Sequence, residues 1–462
     1  MNARRCPRAG SVVVVGGGLA GITAALDCAD AGADVTLVEV RRRLGGAAYS
    51  FERDGLLMDN GQHVFLRCCS AYRALLARLG SERLTSLQER LEIPVLSPRR
   101  AAARLRRGSL PAPAHLAAAL ARYPLLTRGE RLGAARAALG LLRLDPQDES
   151  LDAVTFGDWL ARHGQGPRAV AALWDLVALP TLNLPAAQAS LALAAFVFRT
   201  GLLSSAQAGD IGFHDAPLGD TIGAPAQRAL GEAGVDVQLG WRAQRVARGA
   251  AGFEVHSSGG DGIGADAVVL ALPHSRAARL LEPLLGEQAG ALHALGVSPI
   301  VNLHVVYDRK VCDWPFAAGV GTPVQYVFDR TRAAGAPPGC QYLAVSLSAA
   351  QREMGMSVER LRERYLPALR ELFPRARQAS VECFVATREH AATFRAAPRT
   401  RELRPGPHTP VPGLLLAGAW TATGWPATLE GAVLSGHAAA RGATRALEGR
   451  GVRPATASAL TR

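Results

Sequence analysis

The sequence predicts an α/β protein in which a Rossmann-like dinucleotide-binding domain is interleaved with a second, α+β domain. Three observations predict this. Residues 12–39 read as strand, glycine turn, helix and strand, with the spacing G-x-G-x-x-G. Residues 414–442 read as a second strand, loop and helix at the far end of the chain. At 462 residues the chain is longer than one core usually serves, so two domains are expected.

In the first unit, Val12 to Val15 form a β-branched run suited to a strand buried on both faces of a parallel sheet. Gly16 permits the tight turn out of the strand. Gly18 lacks a Cβ, so backbone and pyrophosphate can approach each other. Gly21 lets the helix pack close to the sheet, and the helix N-terminus offers free N–H groups to phosphate. Residues 22–31 are helical and 35–38 form the next strand. Glu39, 18 positions after Gly21, ends that strand where an acid accepts hydrogen bonds from a ribose.

Composition narrows the class. The chain is 48% hydrophobic, 20% charged and 5% aromatic, which is globular. Its net charge of +13 comes almost wholly from Arg, Lys310 being the single Lys. Arg, Ala, Gly and Pro are abundant together, as coding bias alone would produce; as a functional signal, the excess favours an anionic membrane surface or an acidic partner. No basic run is interleaved with aromatics, so nucleic acid is not an expected partner. Seven Cys without a C-x-x-C pair point to a reduced chain with no metal site, and hence to the cytoplasm. Arg4, Arg5 and Arg8 precede an apolar run, but that run is the first strand and turn, so it is not read as an export signal. No uncharged apolar stretch reaches about 20 residues.

Further along, Arg41 to Arg43 place positive charge near the phosphate site. Gly45-Gly46 is a second place for close backbone approach, which fits a large, deeply held dinucleotide such as FAD. Asp59-Asn60-Gly61 is a turn signal, with Gln62 and His63 on the turn and strand character resuming at Val64. Residues 70–80 read as helix and 91–96 as strand. Residues 99–144 read as several helices, and 155–163 as one capped by Thr155. The apolar stretch 169–203, with Trp174, Phe196 and Phe198, is equally a cavity wall or plain helical core. A turn and helix over 217–234 lead to strands at 235–239, 242–248, 252–257 and 267–272. Four more strands are expected at 299–307, 324–328, 342–347 and 381–386, with a helix at 357–372. After Glu389-His390 the chain is expected to be irregular and Pro-rich as far as Pro412.

G-x-G-x-x-G, Glu39, Leu44-Gly45-Gly46 and Asp59-Asn60-Gly61-Gln62-His63-Val64-Phe65 together resemble the flavin-dependent amine oxidase and phytoene desaturase superfamily. The phrases DNGQHVFLRCCSAYRALLARLG and LLLAGAWTATGWPATLEGAVLSGHAAA resemble, within it, the hydroxysqualene dehydroxylases of bacterial hopanoid synthesis, over residues 11 to 445. The resemblance implies an amine oxidase-like fold. Its FAD-binding domain is expected from residues 1–95, 214–295 and 400–450, its substrate domain from 96–213 and 296–399, and a disordered tail from 451–462. It implies that FAD is held by Gly16, Gly18, Gly21, Glu39, Arg41, Gly45, Gly46, Gly61, Gln62, Ala243, Gly418, Glu430, Gly431 and Ala432.

The implied reaction replaces the allylic hydroxyl of hydroxysqualene by hydrogen, with reduced flavin as hydride donor, giving squalene. Such a site needs a dry apolar tunnel, an acid for the departing oxygen and aromatic faces for the cation. His63 and Asp59 are the candidate acids and Trp425 the candidate aromatic. A hydrophobic isoprenoid substrate, and peripheral association with the inner face of the cytoplasmic membrane, follow as expectations. Two positions depart from the superfamily pattern. Ala47 stands where Arg commonly follows the Gly-Gly, and Ala419 where Asp commonly follows the glycine, with Arg41 or Arg43 available to replace the missing charge. The rivals are a carotenoid-type desaturase, an amine oxidase, and an isoprenoid-binding carrier without flavin.

Overall fold

The structure, a computed structural model, describes residues 10–250 and 252–451. The expected tail from 452 onward and the basic segment up to residue 9 lie outside the described residues.

Five parallel strands form the nucleotide-binding sheet, in the order Asp236–Leu239, Asp34–Glu39, Ser11–Val15, Ala267–Leu270, Leu414–Leu416. The alternation of side chains along a strand explains the all-valine run. Val12 and Val14 pack toward the helices Leu19–Asp30 and Leu429–Gly451. Val13 and Val15 pack with Val246, Phe253 and Val255 of a three-stranded antiparallel sheet, Ala243–Arg248, Phe253–Ser257 and Gly262–Ala265. Both faces are buried, so both must be apolar. The first and last helices touch where Gly436 lies; a Cβ there would stand 2.4 Å from the Ala20 carbonyl oxygen.

The second sheet has seven strands, in the order Val381–Thr393, Ser298–Tyr307, Gln341–Ser348, Tyr326–Asp329, Phe316–Gly319, Glu92–Leu96, Ala103–Arg106. It is antiparallel except where Phe316–Gly319 pairs with Glu92–Leu96. The helix Val358–Leu372 lies on it through Leu361, Tyr365 and Leu369, and Ser357 caps that helix by accepting from the Arg360 N–H.

Several sequence expectations are corrected. Ala103–Arg106 is a strand within the stretch read as helical, because it pairs with Glu92–Leu96 at a sheet edge. Glu92–Leu96 therefore joins the seven-stranded sheet, although residues through 95 are expected in the nucleotide-binding domain. The last strand of that sheet runs to Thr393, not to 386, since its neighbour Ser298–Tyr307 pairs with it as far as Ser298↔Thr393. That extension turns Glu389 from a loop residue into a strand residue. Gly262–Ala265 and Phe316–Gly319 are strands without a sequence signal.

Trp174 and Phe198 of the apolar stretch are core, packed edge-on to one another and against Phe156. Phe196 is different: it is half-buried and meets Trp425 edge-to-face at 5.1 Å.

Candidate functional site

The glycines of the first turn have separate tasks. A Cβ on Gly16 would stand 2.3 Å from the Ala271 carbonyl oxygen, and one on Gly21 would stand 1.8 Å from the Gly16 carbonyl oxygen. Both therefore hold helix and sheet together. A Cβ on Gly18 would meet only the Gly46 Cα, at 3.7 Å. Gly46 itself has φ +59°, and its Cβ would fall 2.7 Å from the Gly18 Cα. The two glycine loops thus lie against each other, bridged by the Gly45 N–H donating to the Gly17 carbonyl at 2.9 Å.

Glu39 is buried at the end of its strand and already accepts from the Gly17 N–H and the Arg41 N–H, both at 2.7 Å. Those bonds fix its carboxylate beside the first loop and leave lone pairs for a ribose. Arg41 is exposed and contributes its backbone N–H to this contact. Ala243 opens the three-stranded sheet. Just ahead of it, Trp241 and Gly240 donate to the Glu39 and Arg41 carbonyls.

Arg43 reaches back to the Gly46 carbonyl at 3.2 Å and lies 3.6 Å over the Tyr49 ring. It is therefore Arg43 that brings a guanidinium to the Gly45-Gly46 segment beside Ala47.

The turn at residues 59–63 is clamped from the seven-stranded sheet. The Asn60 carbonyl accepts from Asn302 Nδ2 at 3.0 Å and from Thr387 Oγ1 at 2.9 Å. Asn60 Nδ2 donates to the Ala47 carbonyl at 2.8 Å and to Glu389 Oε1 at 2.9 Å. His63 is half-buried on this turn. Burial pushes its imidazole down to about 4, against the pull of the Glu389 charge. His214 stands near it, its Nε2 within 3.1 Å of the Tyr72 hydroxyl and its ring held down to about 3 by burial, then by His63 and Arg330.

Asp59 sits differently from the expectation for an acid facing substrate. Its Oδ1 accepts from Ser50 Oγ at 2.6 Å and the Leu218 N–H at 2.8 Å, and its Oδ2 from Arg330 Nη2 at 2.9 Å. The carboxylate is occupied in holding the turn to neighbouring segments. Burial raises its pKa while Arg330 lowers it.

At the far end of the chain, Gly418 has φ +144°, and its N–H donates to Ser435 Oγ at 2.8 Å. Thr428 caps the last helix by accepting from the Gly431 N–H at 3.1 Å, and the Ala432 N–H bonds to the Thr428 carbonyl. Glu430 points away from this helix end. Its two oxygens accept from the Ala71 and Tyr72 N–H groups at 3.0 and 2.7 Å, so it caps the helix Ser70–Arg78. Its side chain thereby ties distant parts of the chain together.

Arg404 is a site residue without a sequence signal. Its buried guanidinium donates to the carbonyls of Ala419 and Trp420 at 3.2 Å, Thr421 at 2.5 Å and Trp425 at 2.7 Å. It lies 4.7 Å over the Phe394 ring. Burial lowers its pKa to about 10, with Asp152 opposing. The loop that ends in Trp425 is thus wrapped around one cation.

Buried polar atoms test whether a flavin dinucleotide fits. Gln62 Nε2, Asn302 Oδ1 and His214 Nδ1 have no partner among the described residues, although Asn302 and His214 are almost wholly buried. Such atoms cost free energy unless something polar meets them. They lie on or beside the turn that follows the glycine cradle. Open Gly18, carboxylate-bearing Glu39 and these unpaired groups fit a ligand with a pyrophosphate at one end and a hydrogen-bonding ring at the other.

A family model described as flavin containing amine oxidoreductase matches residues 19–444. Hydroxysqualene dehydroxylase of Rhodopseudomonas palustris is 30% identical over 441 residues, 93% of this chain and 97% of that protein. The 15-cis-phytoene desaturase of Narcissus pseudonarcissus is 26% identical over 457 residues, 93% of this chain and 78% of that protein. Among solved structures, a putrescine oxidase bound to putrescine superposes with a TM-score of 0.72 at 20% identity, covering 96% of this chain and 99% of that one. The last likeness is one of fold.

Proposed function

This chain belongs to the flavin containing amine oxidoreductase family and is an FAD-dependent oxidoreductase, and we propose that it reductively removes the allylic hydroxyl of hydroxysqualene to give squalene in hopanoid synthesis. The observation that carries this reading is the near end-to-end match to hydroxysqualene dehydroxylase. The arrangement around the turn at 59–63 supports it.

Bound FAD supplies a two-electron, hydride-level exchange. The residues proposed to hold it are Gly16, Gly18 and Gly21 with Gly45 and Gly46 at the pyrophosphate, and Glu39 and the Ala243 segment at the adenosine end. Gly61 and Gln62, Gly418, and Gly431 with Ala432 are proposed at the ring end. Arg43 is proposed to take over the charge missing at Ala47, since it already touches Gly46. Glu430 and Arg404 act indirectly, by fixing helix and loop.

Hydroxide leaves poorly, so the departing oxygen needs a proton, and the allylic cation left behind needs a dry, polarisable surrounding. His63 is proposed as the proton-bearing side chain; Asp59, spent on three donors, is proposed only to hold the turn. Trp425, with Phe196 edge-on to it, is proposed as the aromatic face for the cation. The apolar helix Leu191–Phe198, which carries Phe196, is proposed to keep water from this face.

Peripheral membrane contact is part of the same proposal. On the helix Arg128–Arg143, Leu132, Arg136, Leu139 and Arg143 are all exposed and spaced 4, 3 and 4 apart, which is one face. Leu132 and Leu139 are 55% and 50% exposed. Apolar side chains set among Arg suit an anionic bilayer surface. No helix among the described residues is long and apolar enough to cross a membrane.

The test is anaerobic. The purified protein, its flavin reduced with dithionite, is mixed with hydroxysqualene. Return of the oxidised flavin band together with squalene is expected. A band that stays bleached overturns this substrate, and oxidised enzyme with phytoene then tests the desaturase direction.

A further inference from the structure

The strand extension that brings Glu389 to the site carries an inference about proton supply. Glu389 lies opposite Ile300 in the paired strands, two residue pairs from the Asn302 that clamps the turn. Its Oε1 accepts from Asn60 Nδ2 at 2.9 Å, and Asn60 is three residues before His63. Among the described residues, no Arg or Lys forms an ion pair with it. The carboxylate is therefore held in place by a neutral donor, the Asn60 amide.

We propose that Glu389 is a positioning residue for the reaction: its carboxylate faces His63 across the Asn60 clamp and sustains the imidazolium that protonates the departing hydroxyl oxygen. This rests on the reading of the reaction above. In the step, an N–H bond of the imidazolium breaks and an O–H bond forms. The carbon–oxygen bond breaks with its electron pair going to oxygen, and water leaves. The ring becomes neutral, and bound reduced FAD would supply the hydrogen and two electrons that the carbon needs.

The charged and titratable groups around the ring set the sign. Glu389 faces it from the strand Val381–Thr393, and His214 from the strand Ile211–His214. Arg43 and Tyr49 lie beside Glu389 on the glycine segment, and Arg330 lies beside His214. Asp59 is paired to Arg330. Burial lowers the proton affinity of His63, and of these groups Glu389 raises it. Removing that one negative charge leaves a smaller protonated fraction at every pH above the midpoint.

Glu389→Gln keeps an oxygen for Asn60 and loses only the charge, so the clamp survives. Four FAD-loaded proteins are compared in single turnover with hydroxysqualene: wild type, Glu389→Gln, His63→Gln and the double variant. Glu389→Gln is expected to lower the rate at saturating substrate about tenfold, equivalent to one pH unit in the His63 midpoint, with the substrate concentration giving half that rate little changed. The double variant is expected to be no slower than His63→Gln, because Glu389 acts through the ring. Effects that multiply, or an unchanged rate in Glu389→Gln, overturn the proposal. A second readout needs no substrate: histidine side chains labelled with 15N are titrated by NMR, with His63 assigned from its variant. A lower His63 midpoint in Glu389→Gln supports the coupling even where hydroxysqualene proves not to be the substrate, and an unmoved midpoint overturns it whatever the substrate is.

Discussion

Arg404→Met removes a buried cation from the carbonyl cage that shapes residues 419–425. The guanidinium makes its two shortest bonds to the Thr421 and Trp425 carbonyls, at 2.5 and 2.7 Å, and longer ones to Ala419 and Trp420 at 3.2 Å. Hydrogen bonds from a charged donor contribute about 1.5–3 kcal/mol each, so the two short ones set a scale of roughly 3–6 kcal/mol. Relief of the desolvation of a buried charge offsets part of this. Methionine keeps most of the stem packed against Phe394. A net loss of about 3 kcal/mol is expected, falling on the loop and not on the sheets. If loop ordering must then be supplied on binding, FAD affinity weakens about 100-fold, at 1.4 kcal/mol per factor of ten. Arg404→Lys keeps the charge but offers a point donor in place of a fork, and should fall between, at about tenfold. The assay is a visible-absorbance titration of apoprotein with FAD, beside urea unfolding of the same apoprotein followed by circular dichroism. The expected pattern is a large change in FAD dissociation constant with a small change in unfolding midpoint. An FAD dissociation constant within threefold of wild type for Arg404→Met would refute the idea that this cation organises the loop.

Other expectations follow from the same geometry. Gly21→Ala places a Cβ 1.8 Å from the Gly16 carbonyl oxygen and should destabilise the apoprotein by about 1–3 kcal/mol or prevent folding. Gly18→Ala meets only Gly46 Cα at 3.7 Å and should leave apoprotein stability within about 1 kcal/mol while weakening FAD binding, which thermal melts with and without FAD will separate. Burial holds His214 down to about 3 and His304 to about 4, whereas the unfolded rings titrate near 6.5. Between those values the unfolded state binds more protons, so stability should fall as pH drops below about 6.5, by about 1.4 kcal/mol per pH unit for each ring. Urea midpoints at pH 7 and pH 5 measure this, and a His304→Gln variant should show a shallower slope. Leu132→Ser with Leu139→Ser should cut co-sedimentation with anionic vesicles at least tenfold, since each buried leucine is worth about 1.5–3 kcal/mol; unchanged binding would place the membrane contact elsewhere.

The residues legible in the sequence are those whose meaning is local. The valine run, the glycine spacing and Glu39 identify a βαβ unit because each acts on backbone within a few positions of itself. The strand–loop–helix at residues 414–451 was legible for the same reason. What tertiary structure alone decided is which distant groups share a site. Glu389 lies 329 positions from Asn60 and reads as loop, yet strand pairing with Ser298–Tyr307 carries it to the turn. Glu430 sits in a ligand-binding phrase, but 358 positions away it finds the open N–H groups of a helix, which need an acceptor. Asp59 looks like a free acid until three donors from separate segments occupy it. Arg404 has no pattern around it at all, because its partners are carbonyl oxygens, which every residue carries and which only folding gathers around one cation.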